Sequence, residues 1–256
     1  MNAKTYCIFK KTVKAFSLLE MALVLSIIGI ISAYAIPVLL QTRVVARWKE
    51  TDAKIEALSY ALAGYVQLNK RLPYPANPAA SGVQEGIQVD RLITGIIPYR
   101  TLGLQESDAK DGFHHWISYS AAPALTSDIP DQYPNRRAVS ASSLQGADNQ
   151  FCLRPPLSAQ LSVKNQQGIS MFDSRQSIES SVDMIAFVLV SHGPSGGGAF
   201  CESGQRRTAV GDKQANTNGI NFIDRPICKE FDDRIRWVSR NNLMTMYAKQ
   251  PCKTVK

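Results

Sequence analysis

The sequence predicts an α+β fold: one long N-terminal helix, half membrane-spanning and half amphipathic, packed on a C-terminal antiparallel β-sheet head. Three observations carry this. From Met21 to Leu40 there is no charged residue. Behind that run, Trp48, Ile55, Leu58, Leu62 and Tyr65 recur at helical spacing. After a Pro-rich connector, apolar residues gather in short runs separated by turn residues, as the strands of a small sheet do. With 256 residues the chain is long enough to bury a substantial core.

Residues 1–15 form a basic leader. Lys4, Lys10, Lys11 and Lys14 supply half of the net charge of +8, and no acid offsets them. The remaining basic pairs, Arg136-Arg137 and Arg206-Arg207, are short and scattered, and no nucleic-acid-binding signature accompanies them. Nucleic acid is therefore not an expected partner. As a helix, Met21–Leu40 is about 30 Å long, the thickness of a bilayer's hydrocarbon core. Arg43, Arg47 and Lys49 follow it, so the charge asymmetry is modest, but the acid-free leader places the N-terminus on the cytoplasmic side.

Two residues are wrong for a plain anchor. Pro37 lacks a backbone donor and is expected to kink the helix. Glu20 puts a carboxylate at the start of the apolar run, which costs roughly 2.5 kcal/mol or more at the bilayer centre unless it is paired. The helix macrodipole offsets part of that cost. Toward the C-terminus the next cation is Arg43, far beyond one helical turn. A cut just before Phe16 would create an α-amino group four residues from Glu20 and resolve the imbalance.

The stretch Lys14-Ala15-Phe16-Ser17-Leu18-Leu19-Glu20 and the apolar run behind it resemble the N-terminal signal of type IV pilins and type II secretion pseudopilins. The resemblance implies cleavage between Ala15 and Phe16 by a prepilin peptidase that also N-methylates Phe16. It implies that Glu20 guides docking among other pilin or pseudopilin subunits. Pro37 falls where many of these proteins place a kinking proline. Ala15 departs from the glycine usual before the cut. The implied organisation is a cleaved leader (1–15), an assembly helix (16–40), its amphipathic continuation (41–70) and a pilin-like head (71–256). The expected location is the bacterial inner membrane, single-pass, with the head in the periplasm and the subunit drawn into a filament. The size of the head points to a minor subunit. Two other readings stand beside it. Ala33-Tyr34-Ala35 has the form of a secretory cleavage site, which would release a binding module beginning at Ile36. A membrane-anchored enzyme built around His192 is the other.

The amphipathic stripe is expected to end near Asn69, ahead of Pro73, Pro75 and Pro78, with Glu50 and Lys54 paired on its outer side. Residues from about Arg71 to Ser81 read as a connector. Strands are expected over Phe113–Tyr119, over the continuous apolar run Met184–Val190 and over Arg234–Val238, and a short terminal strand or helix over Asn242–Tyr247.

The sequence offers little catalytic chemistry. Ser191-His192-Gly193-Pro194-Ser195-Gly196-Gly197-Gly198 lacks the Lys-Ser/Thr of a P-loop, and Pro194 spoils a nucleophile elbow; it reads as a glycine-rich turn. His114 and His115 would face opposite sides of a strand, so no metal site is expected from them. Asp212–Asp224 is rich in Asn and Asp but lacks EF-hand order, which leaves a solvated turn, with calcium as the alternative that the pseudopilin resemblance keeps open. No other cofactor is expected. Cys152, Cys201, Cys228 and Cys252 make two disulfides in an oxidising compartment, with three connectivities open, or four thiols in a reducing one.

Overall fold

The computed structural model describes residues 17–69, 71–126, 161–171 and 184–246. Helix α1 spans Leu18–Asn69. It is followed by β1 (Thr94–Ile96), β2 (Ser118–Ala121), α2 (Pro123–Thr126), β3 (Ser162–Lys164), β4 (Ile185–Ser191), α3 (Asp212–Ala215), β5 (Asn221–Ile223), β6 (Arg234–Ser239) and α4 (Arg240–Met246). The architecture is α+β. The chain divides into two compact units, Met1–Ala46 and Arg47–Lys256.

In the first unit, α1 runs on through Pro37 without a break in its helical assignment. Its surface is apolar and exposed: Leu18, Leu23, Leu25, Ile30, Ile31, Ile36 and Leu39 each keep more than half of their area in contact with solvent. Ile30 and Ile31 are consecutive, so the exposed apolar surface is not one stripe but wraps the helix. The helix is long and apolar enough to cross a membrane.

In the second unit, the rest of α1 buries Ile55, Leu58, Leu62, Ala63 and Val66. This is the predicted stripe from Ile55 onward; Trp48 at its expected start and Tyr65 at its expected end are only half-buried, and Val66 closes it. The predicted Glu50–Lys54 pair forms at 2.8 Å. The helix stops where expected. Asn69 Nδ2 donates to the Tyr65 carbonyl (3.0 Å), and the chain then enters a proline-rich stretch.

The stripe joins one core with a four-stranded antiparallel sheet of order β1-β2-β4-β6. Every residue of β4 is buried, so both faces of that strand are covered, as its unbroken apolar run predicted. Tyr119 on β2 approaches Phe187 on β4 at 6.3 Å between ring centroids and donates its hydroxyl to the Pro73 carbonyl. By the alternation of a strand, Ser118 and Ser120 point to the opposite face. A second sheet pairs β3 and β5 in parallel, Val163 opposite Phe222.

Two expectations are corrected. The strand expected from Phe113 begins only at Ser118, because the Asp111 carboxylate accepts from the backbone N–H of both Phe113 and His115 (2.9 Å each) and folds the segment into a turn. The histidines therefore belong to that turn, with His114 at φ 66°. The connector is also not an open spacer. Leu72 and Ala76 are fully buried, and Ala76 exchanges two 3.0 Å hydrogen bonds with Ile96, extending the sheet beyond β1. The terminal segment settles as helix α4.

Candidate functional site

The first turn of α1 is set by Ser17. Its Oγ accepts from the Leu19 N–H (3.3 Å) and its carbonyl from the Met21 N–H (3.1 Å). Ser17 is thus the N-cap, and Glu20 stands at the third helical position, the S-x-x-E spacing of a capping box. The carboxylate lies where the macrodipole favours it and is exposed on an otherwise apolar surface. The Ser17-x-x-Glu20 spacing that marks this helix start is present in the sequence itself. Ala15 and Phe16, the expected processing pair, lie outside the described residues. Pro37 sits inside α1.

The head contains a second cluster, at the end of β4 and the start of β6. The turn after β4 uses positive φ at Gly193, Gly196 and Gly198. At Gly193 a Cβ would sit 2.2 Å from the Asp232 carbonyl, so only glycine lets the two segments meet. Asp232 accepts from the Ser195 N–H (2.8 Å) and Ser195 Oγ–H (2.9 Å). Lys213 on α3 reaches into this junction although it is almost wholly buried. Its ammonium donates to Asp232 and to Ser195 Oγ and lies 3.4 Å from the Asp233 carboxylate. Burial pushes the Asp232 carboxyl upward, but the Lys213 ammonium and the two Ser195 donors outweigh it and hold it below the usual carboxylate range.

Deeper still, Ser118, His192 and Asp233 line up. Arg206 donates from Nη1 to Ser118 Oγ (3.2 Å), and Ser118 Oγ lies 3.0 Å from His192 Nε2. On the other side of the ring, His192 Nδ1 and Asp233 Oδ1 are 3.5 Å apart, too long for a good hydrogen bond. Asn216 Nδ2 donates to Asp233 Oδ2 (2.8 Å). Arg206 stacks over Phe200 at 3.8 Å and donates to the Gly198 carbonyl and to Thr94 Oγ1. Burial pushes its guanidinium down to about 10. The serine, histidine and aspartate have the identities of a hydrolytic triad. All three are buried, with Ser118 only 3% exposed, and the Ser118–His192 contact links β2 to the residue that follows β4 beneath the glycine turn.

The sequence places His192 in a glycine-rich turn; Ser118 and Asp233, distant along the chain, come to it only through the sheet. The segment Asp212–Asp224, expected as a solvated turn, instead sends Lys213 and Asn216 inward. Asp212 pairs with Arg225, and Asn218 accepts from the N–H of Ile220 and Asn221. Of the four cysteines expected to form disulfides, Cys152 and Cys252 lie outside the described residues. Cys201 is half-buried and Cys228 exposed, and both carry free thiols. The Glu230 backbone N–H, with Arg225 Nη2 at 3.1 Å from the sulfur, draws the Cys228 thiol below its ordinary value.

Comparison with known proteins returns nothing: no family model, no curated protein and no solved structure matches the chain significantly.

Proposed function

We propose that the chain is a structural subunit, minor in abundance, of a type IV pilus or a type II secretion pseudopilus, with a pilin-like head. One observation carries the reading: an apolar helical surface exposed on all sides and interrupted by one carboxylate, Glu20, in its first turn. Lipid or other apolar helices are what such a surface needs around it. The carboxylate is what a neighbour's cation would recognise. In this reading the leader holds the precursor in the inner membrane with the head in the periplasm. Prepilin peptidase cuts after Ala15 and methylates the new Phe16 amine. Helix packing and pairing of Glu20 with that amine on a neighbouring subunit then set the register in which subunits stack. Pairing of this kind gives specificity more than net stability.

The test is intact mass and N-terminal peptide mapping of the protein from its native membrane. A chain beginning at N-methylated Phe16 is the expected result. A chain beginning at Ile36 would replace the reading with a secreted binding module, and one still beginning at Met1 would remove the purpose given to Glu20. A second reading, a membrane-anchored hydrolase, has the Ser118–His192 contact in its favour and their burial against it. Labelling of Ser118 by a fluorophosphonate probe in the folded protein would favour it.

A further inference from the structure

The head holds the first two turns of its part of α1 differently from the rest. The buried apolar stripe starts at Ile55. From residue 47 to residue 54 the one buried side chain is Thr51, and it is polar. These turns are gripped by the loop 111–115 and by the first residue of β6. The Gly112 N–H donates to Thr51 Oγ1 (3.0 Å), and Thr51 Oγ1 donates to the Arg47 carbonyl (2.9 Å). Gly112 comes so near that a Cβ on it would lie 2.2 Å from the Arg47 carbonyl oxygen. Phe113 meets Trp48 edge-on at 5.0 Å and lies 6.0 Å from the Arg47 guanidinium. Arg234 pairs with Asp52 at 2.9 Å and lies 5.5 Å from the Trp48 ring centroid.

Each of these contacts belongs to a class of small net worth: one neutral hydrogen bond to the helix, one aromatic pair, one exposed ion pair and two guanidinium–ring contacts. The loop itself is held from behind. Ser191 Oγ donates to Asp111 at 2.6 Å, and His115 Nδ1 donates to the Gly193 carbonyl at 2.9 Å. The loop is thus tied to the end of β4 and to the glycine turn by bonds that do not involve the helix.

We infer that residues 47–54 are a releasable strap. The head can let go of these two turns, which without that support unwind and open their helical hydrogen bonds, while the sheet and the stripe from Ile55 to Val66 stay packed. It then grips α1 over two alternative lengths, from Arg47 or from Ile55, that differ by about 12 Å of helix. This does not depend on the filament reading.

Native-state hydrogen exchange read by mass spectrometry, on the full chain in detergent micelles, tests it. The amides of residues 51–58 bond to the carbonyls of 47–54. They are expected to exchange through an opening that leaves the amides of 59–66 protected. Phe113→Ala is expected to speed exchange over 51–58 about tenfold, the scale of one lost aromatic contact, and to leave 59–66 unchanged. Asp52→Ala, on the exposed ion pair, reads the same opening with a smaller change should Phe113→Ala fail to fold. Exchange of 51–66 as one cooperative unit in the native chain, or equal acceleration of both windows by either variant, would overturn the strap.

Discussion

Lys213→Met is expected to cost the head about 3–5 kcal/mol, the usual loss when one member of a buried ion pair is removed. The substitution keeps much of the apolar stem and removes only the ammonium. What stays behind is the Asp233 carboxylate, fully buried, beside Asp232, itself only 17% exposed at its side chain. Ser195 and Asn216 still donate to these groups, but they bring no positive charge. Trp48, Trp116 and Trp237 are all in the second unit, which contains the head, so urea unfolding followed by tryptophan fluorescence reads the loss directly. The pH dependence has a definite sign. Asp232 has a depressed carboxyl in the folded head, so it contributes stability above the unfolded carboxylate range, and that stability is lost as pH falls through its folded value. Without Lys213 the depression shrinks. The gap between native and variant heads therefore narrows on acidification. Adding Asp233→Asn and Asp232→Asn to Lys213→Met is expected to recover most of the loss, since neutral amides need no counter-charge. A triple variant as unstable as the single one would mean that Lys213 acts through its stem and not its charge.

The cluster also shows where sequence reading runs out. Helix α1 and strand β4 were legible because each repeats a burial pattern along the chain: a stripe at helical spacing, and an unbroken apolar run that only a doubly covered strand can use. Strand β6 was legible for the same reason, with Ile235 and Trp237 half-turned into the core. The pair β3–β5 was not, because three-residue strands carry no period and their parallel register is set by partners far apart in sequence. Phe113–Ile117 looked like a strand until the Asp111 side chain took over its backbone donors. Lys213 was unreadable in principle. A lysine among Asp, Gln and Asn has the composition of a solvated turn, and what pulls it inward is a carboxylate pair nineteen and twenty residues later. Glu20 is the opposite case. It stands out because a charge in an apolar run violates a local rule, and such violations are where a sequence exposes function most openly.

If the chain assembles as proposed, Glu20→Ala is expected to leave the head unchanged and to abolish incorporation into filaments. The carboxylate is in the first turn of α1, inside the first unit, whereas all three tryptophans lie in the second, so the tryptophan-reported unfolding midpoint should not move. Cleavage after Ala15 should proceed, since the peptide bond cut is four residues away. Loss of a first-turn acid weakens the helix end by about 0.3–1 kcal/mol, too little to melt a helix of 52 residues. Two roles for Glu20 then remain to be separated: pairing by charge with a neighbour's amine, and completing the capping box with Ser17. Glu20→Gln separates them. Glutamine serves in the capping box as glutamate does, but it carries no charge. If the charge is what neighbours recognise, the Gln variant is cleaved, membrane-inserted and absent from sheared filament fractions, like the Ala variant. If Gln is incorporated like the native chain while Ala is not, Glu20 is there to start the helix, and the register between subunits must be set by the shape of the apolar surface instead.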